Sequence, residues 1–567
     1  MKRTHLVLGN IIFFLLLSIS CSVTQTVPKT DEQVKAIFKK DISTLASDKF
    51  MGRETGTEGE KLASDYIVSD FKKLKLIPKG TNEFLQPFTF IASAKTGTST
   101  QFYINSKSYR LNEDFYPLSF SGNGIASGYI VKVGYGIVAP DLKHDDYQGK
   151  LTLSKKIFVI EIGTPDGNNP HGKFAGFDDL RKKIETAISK GASAVIFIRQ
   201  LTDTTLDNPP QKINSKISTL KIPVIFAKGD AVNFLKNEIV TNCTVGVEII
   251  REERTGHNVI GMIDNKAAST IVIGAHYDHL GMGNEENSLY RGPAAIHNGA
   301  DDNASGTAML MQLALHLKQL QYSKSNYLFI AFSGEEMGLL GSNYFVKNPT
   351  IDLKTVSCML NMDMVGRLKT DEKVLIINGA GTSPRWKTVL DSVAVNGVKI
   401  KTTESGVGPS DHTSFYLQDI PSLHFFSGTH EDYHKPSDDE NKINYDGMAS
   451  IQKIMLNLIE RIQGSGKLAF TKTKDSNNED APHFKVTLGI IPDYGFSGEG
   501  VRADGISDGR PAANAGMKKG DIIVQLGDYK TPDMMEYMKA LGKFSKGQST
   551  KVKVQRGKDT LELPVTF

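Results

Sequence analysis

Four short apolar runs, Thr270 to Ile273, Tyr327 to Phe332, Val356 to Met362 and Ser422 to Phe426, constrain this chain more than any other feature. Runs of that length, rich in β-branched and aromatic residues, read as buried strands. Each is followed within a few residues by a histidine or an acid: His276 and Asp278 after the first, Glu335 and Glu336 after the second, Asp363 after the third, His434 after the fourth. Open α/β sheets hold ligands at the carboxyl ends of their strands, so this order gathers imidazoles and carboxylates at one edge of one sheet. Between the first two runs, Asn298-Gly-Ala-Asp-Asp-Asn-Ala-Ser-Gly306 leads into an apolar helix-like stretch from Thr307 to Leu320, which puts Asp302 just before a helix. Taken alone, His276-x-Asp278 is as much a hydrogen-bonding loop pattern as a metal site. The three later strand ends tip the reading to metal, because a ligating imidazole needs an acid to orient its second nitrogen.

These motifs resemble the co-catalytic zinc aminopeptidase family, whose relatives include the glutamate carboxypeptidases, over roughly Asp31 to Ser119 and Arg251 to Ile462. The resemblance implies a mixed, mostly parallel central sheet flanked by helices. It also implies His276, Asp302, Glu336, Asp363 and His434 as metal ligands and Glu335 as the general base. Five converging ligands exceed the need of one ion, and with Asp302 able to bridge they suit two ions ~3.5–4 Å apart. Imidazole mixed with carboxylate favours zinc, so two zinc ions per chain are expected. Asp278 is then the acid that orients His276. Tyr433 has two readings, a hydrogen-bond donor to a tetrahedral oxyanion or a packing residue. His279, His297 and His412 are expected outside the ligand set.

The remainder of the chain frames this centre. Met1 to Cys21 begins with Lys2 and Arg3, continues through apolar Leu6 to Leu17 and ends in Ser-Ile-Ser-Cys21. It reads as a targeting segment too short to span a bilayer comfortably. Its ending resembles a lipoprotein signal that would acylate Cys21, and it also suits an ordinary secretory cut. Export to a bacterial cell envelope is therefore expected, either membrane-anchored or soluble. Cys243 and Cys358 are too few for a disulfide framework and read as buried thiols, with one bridge between them left open. Asp31 to Leu76 reads as helix, loop, helix; the loop Gly52-Arg-Glu-Thr-Gly-Thr57 resembles the amino-terminal signature of the same peptidases and is taken mostly as packing.

From 120 to 250 the character changes. Gly134 to Ala139, Lys156 to Ile162, Ala194 to Ile198 and Ile222 to Ala227 read as short strands, with a helix over Asp178 to Lys190. Gly-Tyr-Gly-Ile-Val-Ala-Pro140 and Lys-Gly-Ala-Ser-Ala194 resemble an inserted protease-associated domain, either covering a cleft or acting as a spacer. The peptidase segment resumes over 251–463, and the polar stretch 464–484 reads as a linker. The last part, 485–567, carries strand-like Val486 to Ile491, Gly500 to Asp504, Asp521 to Leu526, Lys551 to Gln555 and Leu561 to Thr566, with a helix over Met534 to Leu541. It resembles a bacterial PDZ domain, in which Leu488-Gly489-Ile490 would be the carboxylate-binding loop for peptide or protein C-termini.

With 67 Lys plus Arg against 63 Asp plus Glu, a net charge of +4 dispersed along the chain excludes the concentrated basic surface of a nucleic-acid binder. The expected function is a two-zinc exopeptidase removing amino-terminal residues from peptides. The competing readings are a carboxypeptidase or other amidohydrolase on the same fold, and a non-catalytic scaffold. The side-chain pocket, drawn from loops such as Gly281 to Pro293 and Thr402 to Pro409, is not legible at this level.

Overall fold

A computed structural model describes residues 30–567 apart from 151–152, 168–171, 200–207, 215–216, 218, 238–241, 284–286, 321, 474–485, 493–498, 507–508, 533 and 546. The targeting segment with Cys21 and most of the linker lie outside the described residues. Thr89–Thr255 forms one compact unit and the rest of the chain another.

The larger unit is built on a mixed nine-stranded sheet whose centre is parallel. Thr270–His276 pairs in parallel with Asn326–Phe332 on one side and Val356–Met362 on the other, and Val356–Met362 pairs in parallel with Ser422–Phe426. Antiparallel neighbours flank this block, Ile249–Ile263 on one side and Val374–Asn378 on the other. The strands are buried on both faces, as parallel strands are. Ile271, Ile273 and Ala275 face a core shared with Phe38 and Ile42 of the helix Asp31–Leu45, Met309 and Leu313 of Gly306–Leu320, and Ile451 and Leu458 of Tyr445–Ile462. Val272 points the other way, into a cluster with Leu328, Ile330, Phe345 and Phe415. That alternation follows from the two-residue period of a strand and fixes a three-layer αβα block.

The first helix starts where its sequence directs: the Thr30 side chain accepts from the Gln33 amide, and Asp31 and Glu32 complement the positive end of the helix. It is followed by the turn Asp48–Arg53 and the helix Glu58–Lys73, so helix, loop, helix describes the segment.

The inserted unit begins earlier and ends later than the change in sequence character suggests. Gln101–Ile104 pairs with Cys243–Val247, and Phe115–Pro117 pairs with Val224–Ala227, so residues before 120 are tied to it by sheet hydrogen bonds. It contains a five-stranded and a four-stranded sheet. Lys156–Glu161, Ala192–Ile198 and Val224–Ala227 are strands and Leu180–Ser189 is a helix. The expected strand over Gly134 to Ala139 shrinks to Val138–Ala139, because Gly134 and Gly136 both take positive φ and turn the chain.

In the C-terminal domain the helix Met534–Leu541 and the strands Val501–Ile506, Ile522–Leu526, Ser549–Arg556 and Asp559–Thr566 surround Val501, Ile523, Leu541, Val552 and Val554. The expected strand from Val486 is confined to Ile490–Pro492, since Gly489 at φ +77° breaks the extended run. Among the described residues no helix is long and apolar enough to cross a membrane. Cys243 and Cys358 are both buried free thiols, and burial pushes each thiol up to about 12.

Candidate metal centre and active site

The four parallel strands end together, and their chemistry converges there. His276 closes its strand with Nε2 3.3 Å from Asp363 Oδ1 and 3.5 Å from Asp302 Oδ1. Its Nδ1 lies 3.2 Å from the Asp278 carbonyl and 3.7 Å from Asp278 Oδ1, so Nδ1–H donates there and Nε2 faces the acids. His434 makes the mirror arrangement. Its Nδ1 donates to the Asn287 carbonyl at 2.7 Å, while Nε2 lies 3.3 Å from Asp302 Oδ2 and 3.2 Å from Glu336 Oε2. Asp302 thus presents one carboxylate oxygen to each histidine.

The placement of Asp302 is heavily determined. Both its amide and that of Asp301 donate to Asp438 Oδ2 at 3.0 Å. Asn303 donates to the Met362 carbonyl and accepts from the Gly306 and Met364 amides, which ties this turn to the loop bearing Asp363. Gly299 is required just upstream: its φ is +53°, and a Cβ there would stand 2.1 Å from the Asp302 carbonyl and 2.4 Å from the His279 ring.

All five expected ligands, His276, Asp302, Glu336, Asp363 and His434, are brought together. His279, expected in a loop or in support of the ligands, lies against them: its Nδ1 is 2.7 Å from Glu336 Oε1 and 3.9 Å from Asp302 Oδ2. Two groups with donor atoms close enough to share an ion result, His276 with Asp302 and Asp363, and His279 with Asp302 and Glu336. His297 is engaged by Ser288 and the Ala295 carbonyl, and His412 stacks on His424; both remain outside.

Glu335 follows Gly334, whose φ of +74° turns the chain at the strand end, and its amide donates to Asp278 Oδ1 at 3.2 Å. Its carboxyl belongs to neither donor group. Burial, reinforced by the acids Asp363 and Glu336 against the pull of His276, holds Glu335 well above the usual carboxylate range. Glu336 goes the other way: burial pushes it up, but His434 and His279 together draw it well below. Two adjacent carboxylates are thereby driven apart, Glu335 toward its protonated form and Glu336 toward its ionised one. The Tyr433 ring stacks on His434 with centroids 3.9 Å apart and packs against Met364, Ile376 and Phe426, and burial keeps its phenol protonated.

Sequence reading missed several supports of this centre. Thr55 donates to Asp278 Oδ2 at 2.9 Å from more than two hundred residues away, Asp438 accepts from the Asp301 and Asp302 amides through its carboxylate, and Asn287 accepts from His434 through its backbone carbonyl. Arg367, a candidate clamp for a peptide carboxylate, has both terminal nitrogens 3.3 Å from Asp432 Oδ2.

Residues 258–459 match the family described as Peptidase family M28, and residues 472–567 match the PDZ domain family. The chain is 27% identical over 403 residues to Aminopeptidase YwaD of Bacillus subtilis, spanning 68% of this chain and 76% of that one. It is 30% identical over 228 residues to a protein named "Probable leucine aminopeptidase" from Trichophyton verrucosum, covering 38% of this chain and 56% of that relative's length. Among solved structures, a zinc aminopeptidase from Bacillus subtilis aligns over 80% of this chain and 98% of its own at a TM-score of 0.42 and 22% identity.

Proposed function

Because the chain carries a peptidase of family M28 followed by a PDZ domain, we propose that it is a two-zinc aminopeptidase that removes residues from the free amino terminus of peptides. The observation that carries the proposal is Asp302, whose two oxygens face His276 and His434 separately. One group would be His276, Asp302 and Asp363, and the other His434, Asp302 and Glu336. His434 rather than His279 is taken as the ligand, since its Nδ1–H is spent on a carbonyl and its Nε2 faces oxygens of both Asp302 and Glu336, whereas His279 uses Nδ1 to hold Glu336. The donor chemistry fits zinc, because borderline imidazole nitrogens with carboxylate oxygens match that ion and buried carboxylates at this density require compensating cations. Zinc held there would act as a Lewis acid and bring the pKa of a bound water toward neutrality.

The chain's own residues supply the rest. Glu335 takes the proton of the attacking water and returns it to the leaving amine, a role suited to a buried carboxyl outside the ligand groups. Asp278 holds the tautomer of His276 and the backbone of Glu335 at once. Tyr433 stands beside His434 with a phenol available to the developing oxyanion. Arg367 is already forked onto Asp432, so the guanidinium nearest the site in sequence is committed within the protein, which supports reading of the amino end.

A panel of peptides tests the reading. Acetylating the amino terminus should abolish cleavage while amidating the carboxyl terminus changes little; the reverse pattern assigns a carboxypeptidase. The same proposal includes export, with Cys21 acylated and the PDZ domain taking peptide C-termini at Leu488-Gly489-Ile490. Cys21→Ser should then move the protein from the membrane fraction to the soluble one at unchanged kcat/KM, and an unchanged distribution refutes the anchor.

A further inference from the structure

The turn Gly52–Thr57 belongs to no ligand motif, yet two of its side chains are wholly inside the protein. Arg53 is fully buried, and its acceptors are backbone carbonyls alone. Nε donates to the Tyr277 carbonyl at 2.8 Å, Nη1 to those of Leu45 and Asn298 at 2.7 Å each, and Nη2 to that of Gly299 at 2.9 Å. Tyr277 lies between His276 and Asp278, and Gly299 lies three residues before Asp302. The backbone completes the weave: the His279 amide donates to the Arg53 carbonyl and the Gly281 amide to that of Gly52. Gly52 admits this approach, since a Cβ there would stand 2.5 Å from the Gly281 carbonyl oxygen and 2.7 Å from that of His297. Two residues on, Thr55 donates to Asp278 Oδ2, while Asp278 Oδ1 receives the Glu335 amide.

A guanidinium without a hydrogen-bonded carboxylate is costly to bury. Burial lowers Arg53 to about 10, with Asp302 and Asp278 opposing the fall, so it remains a cation at neutral pH. Its planar fork reaches three chain segments at once, which a lysine's single ammonium cannot do.

We infer that Arg53 and Thr55 are positioning residues for the metal centre: Arg53 locks the loops that carry His276 and Asp302 into one register, and Thr55 orients Asp278 and through it His276 and Glu335. The inference rests on the two-zinc reading and extends it to a segment distant in sequence from every ligand.

Direction of effect separates positioning from a field effect. A nearby cation repels zinc, so if charge alone mattered, Arg53→Met would bind zinc at least as tightly as wild type and Arg53→Lys would match wild type. Positioning demands that both bind more weakly. The test uses the full chain stripped of metal and titrated with zinc against a chromophoric chelator, with melting temperature recorded in parallel and the visible spectrum taken after cobalt loading. Thr55→Val is the milder variant should the arginine variants fail to fold. It should lose on the order of 10-fold in zinc affinity, the lower end for supports behind a metal ligand. It should also alter the cobalt bands and lower kcat more than it raises KM, while Thr55→Ser restores all three. Thr55→Val and Arg53→Lys with wild-type affinity, spectrum and kcat, even at a lowered melting temperature, would overturn the inference. Failure of the wild-type chain to bind zinc would instead overturn the metal reading beneath it.

Discussion

Replacing Glu335 by Gln separates the proton-transfer role from coordination. The side chains have nearly the same volume, so the buried site should not collapse. The amide keeps a carbonyl oxygen for any hydrogen bond but cannot accept a proton at neutral pH. Glu335 belongs to neither group of clustered donor atoms, so its loss leaves His276, Asp302, Glu336, Asp363 and His434 unchanged. Removing one of several crowded negative charges also relieves the like-charge pressure that Asp363 and Glu336 place on it. Fold and metal content should therefore be preserved. General acid–base catalysis contributes ~10²–10⁴-fold, so kcat should fall by that factor, equivalent to about 3–5 kcal/mol of barrier. The assay is steady-state cleavage of an aminoacyl anilide beside zinc content by mass spectrometry on the same preparation. Activity within tenfold of wild type at full metal content would remove Glu335 from the mechanism. Loss of metal would make it a ligand instead.

Asp302→Ala deletes the carboxylate shared by both groups, so equilibrium dialysis should find neither zinc retained; two tightly held ions in that variant would refute the bridge. Asp41, remote from the metal centre, is raised to about 6 by burial, then by Asp70, against a hydrogen bond from Tyr66. A folded pKa above the unfolded one means that the native state holds the proton more tightly. Stability is therefore unaffected below pH ~4, falls as pH rises toward 6 and stays reduced above it, by on the order of 2–3 kcal/mol. Asp41→Asn should melt higher than wild type at pH 7 and equal it near pH 4, with its amide available to the buried Gln312 Oε1; a constant difference across that range would refute the assignment.

What the sequence made legible was whatever short-range pattern encodes. The strands Val356–Met362 and Ser422–Phe426 and the helix Met534–Leu541 lie where their apolar runs put them, because each is bounded by polar or turn-forming residues. The six candidate residues at the strand ends and helix entrance could be located because each lies close in sequence to such a run; their roles remain part of the proposal. Arg53 and Thr55 could not: apart from Leu45 their partners lie more than two hundred residues away, and the carbonyls that Arg53 holds leave no mark on the sequence of the acceptor. His279 was placed outside the ligand set because five ligands already satisfied the chemistry, but its particular partner, Glu336, is set by the fold and not by any local pattern. Gly134 to Ala139 and Val486 to Ile491 were read as extended from their apolar content, whereas positive-φ glycines inside them decide the conformation.

The order of strands explains why a carboxylate outside the sheet lies between His276 and His434. Across the sheet the sequence is Asn326–Phe332, Thr270–His276, Val356–Met362, Ser422–Phe426, so the strand first in the chain stands second in space. His276 therefore emerges between the loops bearing Glu335 and Glu336 on one side and Asp363 on the other. Glu336 pairs with His434 and Asp363 with His276, whereas the single carboxylate of Asp302 turns one oxygen to each histidine. Asp302 enters from the start of Gly306–Leu320, the helix that crosses from Thr270–His276 to Asn326–Phe332, and so arrives above the middle of the array instead of at one of its strands. Its amide is fixed from the opposite side by Asp438, beyond the last strand, and its turn is fixed to Asp363 through Asn303. The position of Asp302 between the two histidines is thus set by chain segments from both flanks. Changes at the opposite ends of these strands should alter stability alone, while changes in the loops at their carboxyl ends should alter metal binding and peptide selection together.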